Sequence, residues 1–366
     1  MRHTFRQLVS CIVAAVLLAG SSRPGGRIQS AGSDPFEFFA PWIVVSKAER
    51  ARLVSDQVLA RVLPGKGAQL AVFVATRLDA APDALEAWTR AIAELKRSRF
   101  VQAIGRFSDP PTPRDLERLS LDDGDLEAIR RCRPGACGLK LSADEIEALR
   151  ATMARAGAGW RDAVQRTFRE LLVERIVRYR AGGLAALSPP ADRMKPGRPD
   201  DALSAIVAQS PYLKRLPRVV EWLVEYPDAN ATLESFFYWS KEHYGDGKPV
   251  ISITHVGIAR PESNDQLPAI VVVGKQIFAT HYLEGSLGLT IILRDAADGA
   301  SYLAYVNRSQ VDLLRGFFGG FMRGVLENRV GRHAPVIVRG LRARLESGHP
   351  SSEPPGSFTG ESSRTR

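Results

Sequence analysis

Five ionisable residues in the C-terminal half have the side-chain types that acid–base or metal chemistry needs. They are Glu242, His243, His255, His281 and Glu284. His255 alternates with Ile251 and Ile253, and His281 alternates with Ile277 and Ala279, so both imidazoles are expected to face an apolar interior. A histidine in such a position is most often a hydrogen-bonded core residue, and this is the favoured interpretation. The alternative is a ligand contact or a general base.

Metal, nucleotide and serine-nucleophile chemistry have little support in the sequence. No H-E-x-x-H motif, comparable metal-ligand spacing, P-loop or dinucleotide fingerprint occurs. Residues 284–288, Glu-Gly-Ser-Leu-Gly, come close to the G-x-S-x-G hydrolase motif. Their first position is Glu284 instead of glycine, and the strand-to-helix context of that motif is missing. We therefore predict no metal site and no cofactor.

A run of four aromatic residues, Phe236–Trp239, is typical either of a strand buried on both faces or of a pocket wall. Tyr238 and Trp239 are the better candidates for a pocket because each carries a polar group on an apolar ring. Arg308 lies just before the last predicted helix and has no capping role there. It is a candidate contact for an anionic head group.

Glycines recur every four residues at Gly316, Gly320 and Gly324, in the segment predicted to form the last helix. Each glycine costs about 1 kcal/mol relative to alanine in a helix interior, so the pattern predicts that another group approaches this face closely. Tight packing of a neighbouring element is the favoured interpretation. A ligand lying against Gly316 and Gly320 is the alternative.

Cys132 and Cys137 enclose the turn-forming sequence Arg-Pro-Gly-Ala. In an oxidising compartment such a pair is expected to form a disulfide. A redox-active pair usually has two intervening residues, haem attachment requires a following histidine, and a metal site needs more ligands. The sequence therefore predicts a structural disulfide.

The N terminus predicts export. Residues 1–22 combine a basic start, the apolar run Leu8–Leu18 and a short small-residue segment, the pattern of a secretory signal peptide. Residues 23–35 are predicted to be a flexible leader and residues 347–366 a disordered tail. Lipid attachment at Cys11 is disfavoured because this cysteine precedes most of the apolar run. The protein is expected to be periplasmic or secreted.

The formal net charge of +10 favours contact with anionic surfaces such as lipid head groups. Nucleic acid would suit the same charge, but export argues against it. No segment after the signal has eighteen uninterrupted apolar residues, so we expect a soluble or peripheral mature protein with possible contact at an anionic membrane surface.

Hydrophobic periodicity predicts an α+β protein. Residues 70–107 are predicted to form a strand, an amphipathic helix and a second strand. Residues 112–228 are predicted to be mostly helical. Strands resume at about residue 233, and Ser309 is predicted to cap a long final helix over residues 309–329.

This element order resembles the helix-grip superfamily, which includes START-type lipid-transfer domains. The resemblance is carried by Leu70–Leu95 and Leu233–Leu326, roughly half of the mature chain. It implies a curved antiparallel sheet of about seven strands gripping the long C-terminal helix. The first part of that domain would span residues 36–111, the helical insertion 112–228, and the remainder 229–346.

The resemblance implies a mainly apolar cavity between sheet and helix that holds a lipid or another apolar small molecule. Its expected ligand contacts are Tyr238, Trp239, His255, His281, Arg308, Gly316 and Gly320. An enzyme that uses the same pocket with a histidine general base is a second hypothesis. A third is an envelope protein that binds a partner through its helical region and has no ligand.

Overall fold

The computed structural model describes residues 34–195, 197–230, 232–243, 247–262, 267–315 and 319–350. In this part of the chain the strands are β1 (Leu59–Leu63), β2 (Gln69–Leu78), β3 (Val101–Arg106), β4 (Glu234–Glu242), β5 (Val250–Ala259), β6 (Ile270–Ala279), β7 (Leu283–Arg294) and β8 (Ser301–Val311). They form one open antiparallel sheet in the order β1-β2-β8-β7-β6-β5-β4-β3. The predicted α+β class with an antiparallel sheet is confirmed.

The helices of the described residues are α1 (Lys47–Val54), α2 (Pro82–Arg90), α3 (Ile92–Leu95), α4 (Asp123–Arg131), α5 (Ala143–Ala156), α6 (Trp160–Gly182), α7 (Pro199–Ala208), α8 (Pro217–Glu225) and α9 (Gly319–Glu346). Short 3-10 turns lie between several of them. The elements between β3 and β4 are thus helical, apart from two isolated β-bridges.

Local sequence signals explain where several of these helices begin. Pro82 opens α2, where its missing N–H costs no helical hydrogen bond. Ser142 caps α5, accepting a hydrogen bond from the Glu145 N–H at 3.3 Å, while the Glu145 carboxylate accepts one from the Ser142 N–H at 2.8 Å. These reciprocal bonds satisfy backbone donors that the first turn of a helix leaves unpaired.

Two sequence-based expectations need correction. The sheet has eight strands instead of about seven, because β1 pairs with the edge of β2. Only the terminal residues of β1, Leu59 and Leu63, are buried, so this strand lacks a clear alternating pattern. The last helix begins at Gly319 instead of Ser309, because β8 continues to Val311 with hydrogen-bonded neighbours on both sides.

Both faces of the sheet are covered. On the face that we call the front, α2 and α9 bury an apolar cluster that includes Leu85, Trp88, Val338 and Leu345. On the opposite or back face, residues Phe36–Phe39 and helices α4–α8 cover the strands in two large apolar clusters. Strands covered on both sides carry long apolar runs, which explains sequences such as that of β6.

Helix α9 contacts elements at both edges of the sheet. It packs against β1, β2 and α2. Its His333 also contacts Phe100, which immediately precedes β3 at the other edge, with ring centroids 5.0 Å apart. Residues at or next to both edges of the sheet therefore contact the same helix.

Candidate functional site

The register of β4–β8 aligns polar side chains in a band across the front face. Ser240 pairs with Ser252, Thr254 with Gln276, and Ser286 with Ser309, while Asn307 lies opposite Gly288. Because residues paired across antiparallel strands point to the same side, the register defines one band, consisting of Ser240, Ser252, Thr254, Gln276, Ser286, Asn307 and Ser309.

This polar band is only partly covered. Ser240 and Ser309 are buried, and the other five members of the band are half-buried although they lie near the middle of the sheet. The described helices therefore leave these five side chains partly accessible to solvent. We call this partly exposed region above the band the recess.

The neighbouring half of the front face is apolar and closed. Ile270, Ile292 and Leu303 are at most 1% exposed and lie in the cluster that also contains the inward residues of α2 and α9. The contacts of α9 with this cluster extend from Leu345 to Ala334. The recess therefore has a polar floor that borders directly on a packed apolar wall.

At one end of the band, three side chains form a hydrogen-bonded ring. Asn307 Nδ2 donates to Ser286 Oγ at 3.0 Å. The Ser309 hydroxyl lies 2.8 Å from both Ser286 Oγ and Asn307 Oδ1. These bonds fix the three polar groups in one arrangement, as a preformed binding surface requires.

At the other end of the band, an ion pair lies next to two tyrosines. Lys96, which follows α3, donates to the Glu242 carboxylate at 2.6 Å and to the Tyr238 hydroxyl at 3.2 Å. Ser240 donates to the same carboxylate at 2.7 Å. Burial raises the pKa of the neighbouring Tyr305 to about 12, so this phenol stays neutral and can donate a hydrogen bond.

Two paired glycines lie in the centre of the floor, where neighbouring side chains lie above them. Gly274 and Gly288 lie opposite each other on β6 and β7. A Cβ atom at Gly288 would lie 3.5 Å from the ring of Tyr305, which is van der Waals contact, so this ring lies directly over the glycine. Glycine within a strand often marks such a close approach.

Of the predicted ligand contacts, Tyr238 lies on the front face beside the band, whereas Trp239 lies on the back face. Trp239 is 1% exposed and its indole N–H donates to Asp115 O at 2.7 Å. Arg308 also points to the back, where its guanidinium donates to Pro64 O at 3.3 Å. Neither side chain reaches the recess.

His255 is buried on the back face among aromatic rings. Its Nδ1 lies 3.1 Å from the Tyr179 hydroxyl, and its ring stacks on Phe237 at 4.2 Å. Burial, together with the charges of Lys275 and Arg180, holds the pKa of His255 well below its usual range. This matches the favoured interpretation of a hydrogen-bonded core histidine.

Lys275, directly across from His255, was not singled out from the sequence. It is 2% exposed and donates to Leu223 O at 2.9 Å. Its ammonium also lies 5.1–5.4 Å from the ring centroids of Tyr179, Trp222 and Tyr226. Burial lowers its pKa to about 7. The signal that could have revealed it is a lysine that alternates with the apolar residues Val271, Val273 and Ile277.

His281 lies in the β6–β7 connection, away from the recess and from His255. Its Nε2 is 3.0 Å from Asp125 of α4, and Lys248 lies 3.4 Å from the same carboxylate oxygen. Burial alone would raise the pKa of Asp125, but the hydrogen bond and charge of His281, with Lys248, hold it below its usual value. The pair ties the helical region to the sheet.

The glycine pattern is only partly described by the structure. Gly316 lies outside the described residues. A Cβ at Gly320 or Gly324 would meet no described atom within 4 Å, so neither the expected close packing nor a ligand contact is seen at these two positions.

The predicted disulfide has suitable geometry. Cys132 and Cys137 are joined, with Cα atoms 4.3 Å apart. Gly135 has a positive φ of 86° in the intervening turn, a conformation that glycine adopts without strain. The loop donates two backbone hydrogen bonds to residues 191 and 192, at 2.8 and 3.0 Å.

Comparison with protein-family models and with curated protein sequences finds no match. Among the described residues there is no group of three or more His, Cys, Asp or Glu side chains arranged to hold a metal ion. In the same part of the chain no helix combines the length and apolarity needed to cross a membrane.

Proposed function

We propose that the chain has a helix-grip fold in which the sheet closes around α9. The strand order β2-β8-β7-β6-β5-β4-β3 supports this proposal, because it follows from one strand, two helices, a second strand and then five consecutive antiparallel strands. Contacts of α9 with β2 at one edge and with Phe100 at the other also support it. In this proposal β1 and the helices between β3 and β4 are additions to the common plan.

We further propose that the protein is an exported binding protein whose recess takes a lipid or another small molecule with a large apolar part. The observation that carries this proposal is the half-buried polar band beside a closed apolar wall in the centre of a sheet. Burying such polar groups without partners would cost free energy, whereas an open, prearranged surface can bind a ligand. In this proposal the polar end of the ligand lies on the band.

The hypothesis of a histidine general base gains no support from the recess. His255 is fully buried on the back face, and His281 is 5% exposed beside Asp125. A general base must come within hydrogen-bond reach of its substrate, and neither imidazole faces the band. We therefore favour binding over catalysis at this site.

Organic extraction and native mass spectrometry of the purified mature protein test the proposal. We expect an intact mass that exceeds the chain mass by that of one small amphipathic molecule, and recovery of the same molecule from the extract. If the protein carries no such molecule and takes none up from a lipid extract, the binding proposal is wrong.

A further inference from the structure

We infer that the recess selects an uncharged head group carrying several hydroxyls, as in a sugar or glycerol head, and excludes anionic heads. This inference rests on the proposed function and specifies its ligand. The members of the polar band are all neutral hydroxyl or amide side chains. Such groups both donate and accept hydrogen bonds, which matches a ligand hydroxyl that does the same.

The ring of Ser286, Asn307 and Ser309 leaves suitable groups for a ligand. Each serine hydroxyl has one proton, so the bonds within the ring use one proton of each hydroxyl and one amide proton of Asn307. Asn307 also hydrogen-bonds the Tyr305 hydroxyl, so the groups that the ring leaves for a ligand are oxygen lone pairs that can accept hydrogen bonds. Asn307 is half-buried and lies over the paired glycines, where a ligand can approach it.

Three cations near the two ends of the band, all in the described part of the chain, have protein partners. Lys96 is paired with Glu242 at 2.6 Å. Near the opposite end of the band, Arg315 pairs with Glu284 at 2.5 Å, and Arg323 donates to Gln69 O at 2.9 Å. Recognition of a phosphate or carboxylate normally uses available Arg or Lys side chains or backbone N–H groups.

The charge of Glu242 is a second reason why the recess should exclude anionic head groups. Its carboxylate belongs to the ion pair at the Tyr238 end of the band, so an anionic head there would face a fixed negative charge. Like charges placed together in a partly desolvated site repel strongly. A neutral hydroxyl would instead find an additional acceptor.

Three probes separate the head group from the apolar part. Calorimetric titrations below the critical micelle concentration use dodecyl maltoside, dodecyl phosphate and maltose. We expect dodecyl maltoside to bind at least about tenfold more tightly than dodecyl phosphate. This factor corresponds to the one or two good hydrogen bonds that the phosphate head cannot make with the band. We expect maltose alone to bind more weakly than the maltoside, because it lacks the apolar part.

Two variants test which residues select the head group. Asn307→Ala should weaken dodecyl maltoside binding about tenfold, whereas the matched control Asn328→Ala, an exposed amide on α9, should not change it. Glu242→Gln should increase binding of dodecyl phosphate, because it removes the repulsion and releases Lys96 from its ion pair. Circular dichroism checks that each variant is folded.

The outcomes distinguish this inference from the proposed function. Equal or tighter binding of dodecyl phosphate to the unaltered protein would overturn the head-group inference while leaving a binding site in place. Binding of maltose as tight as the maltoside would support the head group and contradict the apolar part of the proposed function. No binding of any probe would contradict both.

Discussion

Lys275 is a side chain whose protonation is strongly changed by folding. Its pKa falls from 10.5 to about 7 because the ammonium is buried. Between these values the unfolded chain binds more protons than the folded one, so stability increases as the pH rises through this range. Below about pH 7 both states hold the proton, and the contribution is constant.

Lys275→Met should remove this dependence. For the unaltered protein we expect the free energy of unfolding to rise by up to about 1.4 kcal/mol per pH unit between pH 7 and 9. The variant should be more stable at pH 7 and show a nearly flat profile, measured by urea unfolding. This window avoids the buried tyrosines, whose pKa values lie above 10. If the stability of the variant rises with pH as steeply as that of the unaltered protein, Lys275 is not the group responsible.

Gly105 tests the packing of the back face at a single position. A Cβ atom there would lie 2.7 Å from Trp239 Nε1, which donates to Asp115 O. Gly105→Ala should therefore displace the indole and lower the free energy of unfolding by about 1–3 kcal/mol. Gly124→Ala, where a Cβ meets no described atom within 4 Å, is the matched control. Equal stability of the two variants would contradict this packing.

Among elements, the disulfide loop helps to hold the segment around residue 192. The loop binds residues 191 and 192 through its backbone, and the adjacent Arg193 pairs with Glu284 at the start of β7. The disulfide thus supports a connection between the helical region and the sheet. Its effect should extend beyond the short loop that it closes.

The double variant Cys132→Ser/Cys137→Ser should lose about 2 kcal/mol of stability, as expected for such a short loop. It should also be cleaved faster by trypsin after Arg193, next to Met194, which is 85% exposed. Limited proteolysis with mass mapping measures this cleavage. An unchanged rate after Arg193 would mean that the segment is held independently of the disulfide.

Elements with strong local periodicity could be predicted from the sequence. The strand, helix and strand of residues 70–107 and the mostly helical character of residues 112–228 match the structure closely. The start of the final helix could not be predicted in this way. Ser309 has the residue type of a helix cap, but its backbone pairs with β2 and β7. Long-range strand pairing overrode a local signal.

The candidate site was less predictable than the fold. The even-numbered positions 286, 288 and 290 of β7 are Ser, Gly and Thr between buried apolar neighbours, so the polar face was present in the pattern. Its alignment with Asn307 and Gln276 depends on strand register, which one sequence does not reveal. Trp239 and Arg308 point to the back because they alternate along their strands with the front-facing Tyr238 and Asn307.

At the scale of the whole molecule, helices on both sides of the sheet give its two faces different roles. The back face is a packed core with a buried lysine and histidine. The front face combines a closed apolar half with an open polar band. Binding is therefore expected at the front, and the helical region is expected to stabilise the sheet.

Native mass spectrometry of three matched preparations tests the central claim most directly. Gly288→Leu places a side chain in the recess against Tyr305, whereas Gly124→Leu adds the same side chain at an exposed position on α4. We predict that the unaltered protein and Gly124→Leu carry one small amphipathic molecule and that Gly288→Leu, although folded, carries none. The same bound mass on all three proteins, or on none, would contradict the proposal that the recess is the binding site.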